Sequence, residues 1–97
     1  MFLIHASYLD KDFQLVQGDI EIQEGTIVQV GENLPRKESD LAVDCAGYTI
    51  VPGFVDVHIH GCAGADTCDG TREALETMAR FLLKHGVTSF CPTTMTT

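Results

Sequence analysis

Asp56, His58 and His60 stand at alternate positions in the run Val51 to Gly64, which reads Val-Pro-Gly-Phe-Val-Asp-Val-His-Ile-His-Gly-Cys-Ala-Gly. In an extended strand, alternate side chains share a face, so these three lie on one side and Val55, Val57 and Ile59 on the other. Imidazoles two residues apart have Cα atoms roughly 6.6 Å apart, close enough for both rings to reach one ion at metal to nitrogen distances of about 2.0 to 2.1 Å. A lone His-x-His pair is more often two unrelated residues. Here the context favours ligands, because unpaired ionisable groups on a buried strand face would each cost several kcal/mol (order of magnitude). The glycine-rich exit at Gly61 and Gly64 is expected to let the chain turn sharply and a ligand come close, with Cys62 beside it.

The pair needs a scaffold that presents it at the end of a strand. Thr71 is placed as a helix N-cap with Glu73 in the first turn, and Leu75, Met78, Ala79, Leu82 and Leu83 trace one apolar helical face up to Gly86. His85, near the helix end, is assigned to the dipole rather than to a metal. Val87 to Phe90, continuing to Thr94, reads as a second strand. Strand, helix and strand at this spacing make a βαβ unit, whose two strands are parallel and whose sheet is expected to be covered on both faces. Functional groups at the C-terminal end of such a strand stand where (β/α)8 barrels place their active sites.

Before Pro52-Gly53 the pattern differs. Phe2 to Leu9, Asp19 to Gln23 and Thr26 to Val30 alternate as strands, with turns at Asp10 to Asp12 and at Glu24-Gly25, and together they read as a half-exposed antiparallel sheet. Gly31 to Asp40 reads as a surface loop, followed by short extended pieces at Leu41 to Cys45 and Tyr48 to Val51. His5 is assigned an ordinary structural or surface role. The expected division is therefore 1–51, part of a small β-sandwich, and 52–97, the first strand-helix-strand of a barrel. A barrel of this kind needs about 250 residues. The chain has 97, so the expectation is a truncated α/β protein that ends near the close of its second barrel strand.

Fourteen acidic against six basic residues give a net charge of −8, with 44% hydrophobic and 21% charged residues. No basic run exists to neutralise phosphates, which argues against nucleic acid or an anionic membrane as partner. The apolar start is too short for a membrane span and lacks the basic flank of a signal peptide, so a cytoplasmic location is expected. Cys45, Cys62, Cys68 and Cys91 form no close Cys-x-x-Cys pair and are expected to be free thiols.

From Pro52 to Gly61 the chain resembles the metal-dependent amidohydrolase superfamily. Gly64-Ala65-Asp66, the helix, Gly86 to Phe90 and Pro92 to Thr96 narrow the resemblance to the N-acetylglucosamine-6-phosphate deacetylase family, and Glu24 to Ile27 is similar to a hairpin of its small domain. The resemblance implies a barrel enzyme that hydrolyses the acetamide of N-acetylglucosamine 6-phosphate, a phosphorylated amino sugar, to glucosamine 6-phosphate and acetate. It implies His58 and His60 as ligands of one or two divalent ions, zinc or iron, Asp56 as a supporting group, Gly61, Cys62 and Gly64 as a substrate loop, and a homodimer for the full-length protein. A glutamate, two further histidines and a catalytic aspartate are implied on later strands, so no catalytic residue is expected within this chain, and the chain alone is expected to be inactive. Ala63 stands where relatives often carry a second glycine. A dihydroorotase-like or deaminase-like member is the alternative. Gly61 and Cys62 disfavour the former, which usually follows the histidine pair with an arginine. A non-catalytic fragment is the reading from another class.

Overall fold

The computed structural model describes residues 1–96. The chain divides into two compact units, Met1–Val51 and Pro52–Thr97.

In the first unit, β1 (Phe2–Leu9) pairs antiparallel with β2 (Leu15–Gln23), and β2 pairs antiparallel with β3 (Thr26–Gly31). The β2–β3 hairpin turns at Glu24 and Gly25, both of which have positive φ. The sheet is mixed rather than antiparallel. The short strands β4 (Ala42–Asp44) and β5 (Thr49–Ile50) both lie parallel to β1, one beside Phe2 to Ile4 and the other beside Ser7 and Tyr8. A hairpin can only return a strand antiparallel. The long 32–41 connection carries the chain back to the start of β1 instead, so that β4 and β5 run in its direction.

Between its two parallel neighbours β1 bulges at His5, which has φ +57°. The freed backbone groups are taken up by Asp19, which is 5% exposed. One carboxylate oxygen accepts from the His5 N–H at 3.1 Å and the other from the Leu34 N–H at 3.0 Å. A single buried carboxylate thus fixes both the bulge and the loop. Leu34 is consequently not on the surface, as expected for the 31–40 segment, but in the core with Phe2 and Ile4, and Ala42 packs against them. The His5 ring donates to the exposed Asp44 carboxylate at 3.1 Å. The Ala46 N–H and then His5 hold that carboxyl below its ordinary value. Its small stabilising effect is present above about pH 4 and is lost as pH falls through the lowered pKa.

The second unit begins with β6 (Phe54–Ile59), followed by a tight hairpin of β7 (Gly61–Cys62) and β8 (Ala65–Asp66), a 3-10 turn (Thr67–Asp69), α1 (Arg72–Lys84) and β9 (Val87–Pro92). Strands β6 and β9 pair in parallel across the helix. Thr71 caps α1, its hydroxyl accepting from the Ala74 N–H at 3.1 Å. The buried face of the helix is Ala74, Met78 and Leu82, a strict i, i+4 row. Leu75 and Leu83 fall on the exposed flanks, because a narrow contact with β8 and β9 needs less than the full apolar stripe. The His85 ring lies against Phe81, with centroids 4.7 Å apart, while its backbone N–H caps the helix at Leu82. Phe54, Val55 and Val57 are 63%, 63% and 75% exposed. The expectation of a sheet covered on both faces fails within this unit because the described sheet has two strands and a single helix to pack on it.

Asp19→Ala leaves two sheltered backbone donors without an acceptor. It is expected to destabilise the first unit by about 2 to 6 kcal/mol, at roughly 1 to 3 kcal/mol for each of the two unsatisfied groups. Urea denaturation of the full chain checks this, and Asp19→Asn, which keeps an acceptor oxygen, should cost less.

Candidate metal centre

His58 is the fifth residue of β6, and His60 follows directly after its end, where the chain bends into the β7–β8 hairpin. The ladder with β9 pairs Asp56 and Ile59 on either side of His58 but slips between them, so His58 sits at an irregularity of the strand and His60 lies beyond it. What holds His60 is the neighbouring chain: its Nδ1 lies 2.9 Å from the Thr93 carbonyl oxygen. Thr93 is itself held to β6, its N–H donating to the Ile59 carbonyl at 2.8 Å. A carbonyl can only accept, so Nδ1 carries the proton and Nε2 of the neutral ring presents a lone pair.

That lone pair faces the other histidine. The two Nε2 atoms are 3.2 Å apart, and the rings meet edge to face at an interplanar angle of 89° with centroids 4.9 Å apart. Nitrogens bound to a common tetrahedral ion at about 2.0 to 2.1 Å stand roughly 3.3 to 3.4 Å apart. The observed separation is close to that value, so the pair fits two positions of a metal ion. Without an ion, His58 completes the contact by donating its Nε2–H to His60. No group of three or more His, Cys, Asp or Glu side chains that could hold a metal occurs among the described residues.

Asp56 does not join the rings. Its carboxylate accepts from the His58 backbone N–H at 3.1 Å, which stiffens the strand immediately before the first imidazole. The Cys62 thiol points toward the Met78 carbonyl of α1 at 3.9 Å. Gly61 leaves no room for a side chain, since a Cβ there would collide with the Ala65 carbonyl and stand 3.0 Å from the Asp66 Cα. The close approach it permits is thus to its own hairpin. The turn is made by Ala63 and Gly64, with φ +54° and +79°, so both central residues are left-handed, as in the turns that suit two-residue hairpins. All four cysteines are free.

Sequence reasoning missed the partner of His60, because a backbone acceptor 33 residues away leaves no trace in residue type. It also assigned no element between Gly64 and the Thr71 cap, where the 3-10 turn lies. The Asp66 and Asp69 pair, each side chain accepting from the other's end of the 3-10 turn, was a legible capping signal within it.

A model described as "Amidohydrolase family" matches residues 49–97, half of the chain. The chain belongs to the amidohydrolase family. Among curated relatives, the N-acetylglucosamine-6-phosphate deacetylase of Lysinibacillus sphaericus is 38% identical over 80 residues, which is 82% of this chain and 20% of that protein. Among solved structures, the N-acetylglucosamine-6-phosphate deacetylase of Thermotoga maritima aligns with a TM-score of 0.73 at 35% identity, over 100% of this chain and 23% of its own. A mutant of the Mycobacterium smegmatis deacetylase, in complex with N-acetyl-D-glucosamine-6-phosphate, aligns with a TM-score of 0.77 at 29% identity, over 100% of this chain and 25% of its own. This amidohydrolase chain spans about a fifth of the length of the curated relatives it matches. No helix among the described residues is long and apolar enough to cross a membrane.

Ala63 supplies the least favourable residue of the hairpin, since an L-residue with a Cβ in the left-handed region costs about 1 to 2 kcal/mol relative to glycine. Part of that is offset by the unfolded-state freedom that glycine adds. Ala63→Gly is therefore expected to stabilise the fold by about 0.5 to 1 kcal/mol, read as a higher thermal midpoint.

Proposed function

We propose that this chain supplies the first two metal ligands, His58 and His60, of an N-acetylglucosamine-6-phosphate deacetylase, which hydrolyses the acetamide of its substrate to glucosamine 6-phosphate and acetate. The observation that carries the reading is the 3.2 Å approach of the two Nε2 atoms with His60 already oriented through Nδ1. The named activity of the relatives and the phosphorylated sugar bound to the Mycobacterium smegmatis protein support the substrate.

When bound, a divalent ion supplies a water of lowered pKa at neutral pH and polarises the amide carbonyl. Imidazole donors suit zinc or iron among the available ions. The chain's own residues do the holding. His60 contributes a lone pair fixed by its bond to Thr93, and His58 contributes the second once its Nε2 proton has left for solvent or for Nδ1. Asp56 supports the strand just before His58 by accepting from the His58 N–H. The turn through Gly61, Cys62 and Gly64 follows immediately in the chain and is read as a wall of the substrate site. The parallel β6–β9 pair, joined through α1, supports reading 52–97 as the opening of a barrel and 1–51 as part of a small β domain.

The test is acetate release from N-acetylglucosamine 6-phosphate by the full-length protein, with zinc content measured in parallel. Replacing both ligands, His58→Ala with His60→Ala, should lower zinc affinity by more than about a hundredfold, exceeding the roughly 10 to 100-fold that loss of an outer partner costs. Acetate release should fall with it. Unchanged zinc content and unchanged turnover in the double variant would remove the proposal.

A further inference from the structure

Three segments of the second unit close a circuit of hydrogen bonds around His60. The His60 carbonyl accepts from the Thr67 N–H at 2.8 Å, at the first residue of the 3-10 turn. The next residue, Cys68, is locked by the turn's own cap, its N–H donating to Asp66 at 2.7 Å while Asp69 accepts from the Asp66 N–H at 2.9 Å. The Cys68 sulfur accepts from the Met95 N–H at 3.2 Å, and its thiol faces the Met95 carbonyl at 3.8 Å. Two residues earlier, the Thr93 carbonyl receives the His60 ring, and the Thr93 hydroxyl donates to the Cys91 carbonyl at 3.0 Å. Beyond Pro92 the ladder of β9 has ended. The segment 93–95 is therefore held by the Ile59 carbonyl at one end and by Cys68 at the other.

We propose that the Thr93–Met95 segment, clamped at Met95 by Cys68, is a positioning strap that fixes His60 in its Nδ1–H tautomer and keeps Nε2 bare and aimed at His58. This inference rests on the metal-ligand reading of the pair for its consequence, and on geometry alone for the tautomer. Neither nitrogen of a free neutral imidazole is strongly preferred for the proton, so the choice is made by whichever partner is present. The His58 contact at Nε2 favours the same placement, and the Thr93 carbonyl held at 2.9 Å by the strap fixes it from the Nδ1 side. Cys68 is a positioning residue and touches neither ring in this scheme. If the clamp opens, the 93–95 segment loses its distal anchor, the carbonyl swings, and His60 is free to place its proton on the nitrogen that should bind the ion.

The experiment uses the full chain, free of metal, with nitrogen-15-labelled histidine. NMR reads the tautomer of His60, and a competitive chelator assay reads zinc affinity. Cys68→Ala removes the acceptor and Met95→Pro removes the donor, so each opens the circuit, whereas Cys68→Ser keeps an acceptor. The expected result is a single Nδ1–H tautomer in the parent and in Cys68→Ser, and a mixed population in Cys68→Ala and Met95→Pro. Zinc affinity should be about threefold to tenfold weaker in the two opening variants, below the roughly 10 to 100-fold of losing a direct partner. The combined Cys68→Ala and Met95→Pro variant should be no weaker than either alone, because both break one contact. An unchanged single tautomer in the opening variants overturns the proposal, as does weaker zinc binding without a tautomer change, or a Cys68→Ser variant as impaired as Cys68→Ala. If Met95→Pro does not fold, the alanine and serine variants at Cys68 decide alone. A parent chain that binds no zinc refutes the ligand reading, and the tautomer populations still decide on the strap.

Discussion

A parallel ladder aligns the same ends of two strands, and that alignment is what the histidine pair depends on. Because β6 and β9 run in one direction, the residues just after β9 emerge beside the residues just after β6. Thr93 thereby meets Ile59 through its N–H and His60 through its carbonyl. An antiparallel partner would have brought the opposite end of β9 to this place, and His60 would have had no acceptor fixed in register with it. Helix α1 sets the direction by carrying the chain back, and its buried Ala74, Met78 and Leu82 row keeps the return short and packed.

Much of this was legible in the chain because it follows from periodicity. The alternation of Asp56, His58 and His60 against Val55, Val57 and Ile59 put both rings on one side, and Thr71 and Gly86 bracketed the helix. Less was legible where backbone groups act. Nothing in the identity of Thr93 says that its carbonyl, rather than its hydroxyl, meets a ring. The role of Asp56 likewise turned on geometry, since a carboxylate can reach a ring, an ion or a nearby N–H, and here it takes the N–H of His58. The helix face was read too broadly because hydrophobic spacing reports what can be buried, while the width of the contacting surface decides what is buried.

In the first unit the missed element is Asp19. Alternation in β2 marks it as a polar position, and polar positions in a half-exposed strand are ordinarily solvated. The bulge at His5 reverses this by turning a backbone N–H inward, and a carboxylate can serve two donors where a neutral residue could not serve them as strongly. A short polar side chain thus does what a turn or an extra strand would otherwise have to do, and it draws Leu34 out of the loop into the core. The mixed sheet follows from the same place, with β4 and β5 docking on either side of the bulge rather than as one continuous strand.

The bond between His60 and Thr93 spans only 33 residues, and 13 of them form a helix. Loop closure over such a distance costs on the order of 3 kcal/mol before any contact offsets it, and the helix shortens the flexible path further. The aimed imidazole is therefore a local product of folding, assembled from one contiguous stretch of chain. During synthesis, where N-terminal segments emerge first, both rings and the acceptor that orients one of them are available together as soon as this stretch has left the ribosome.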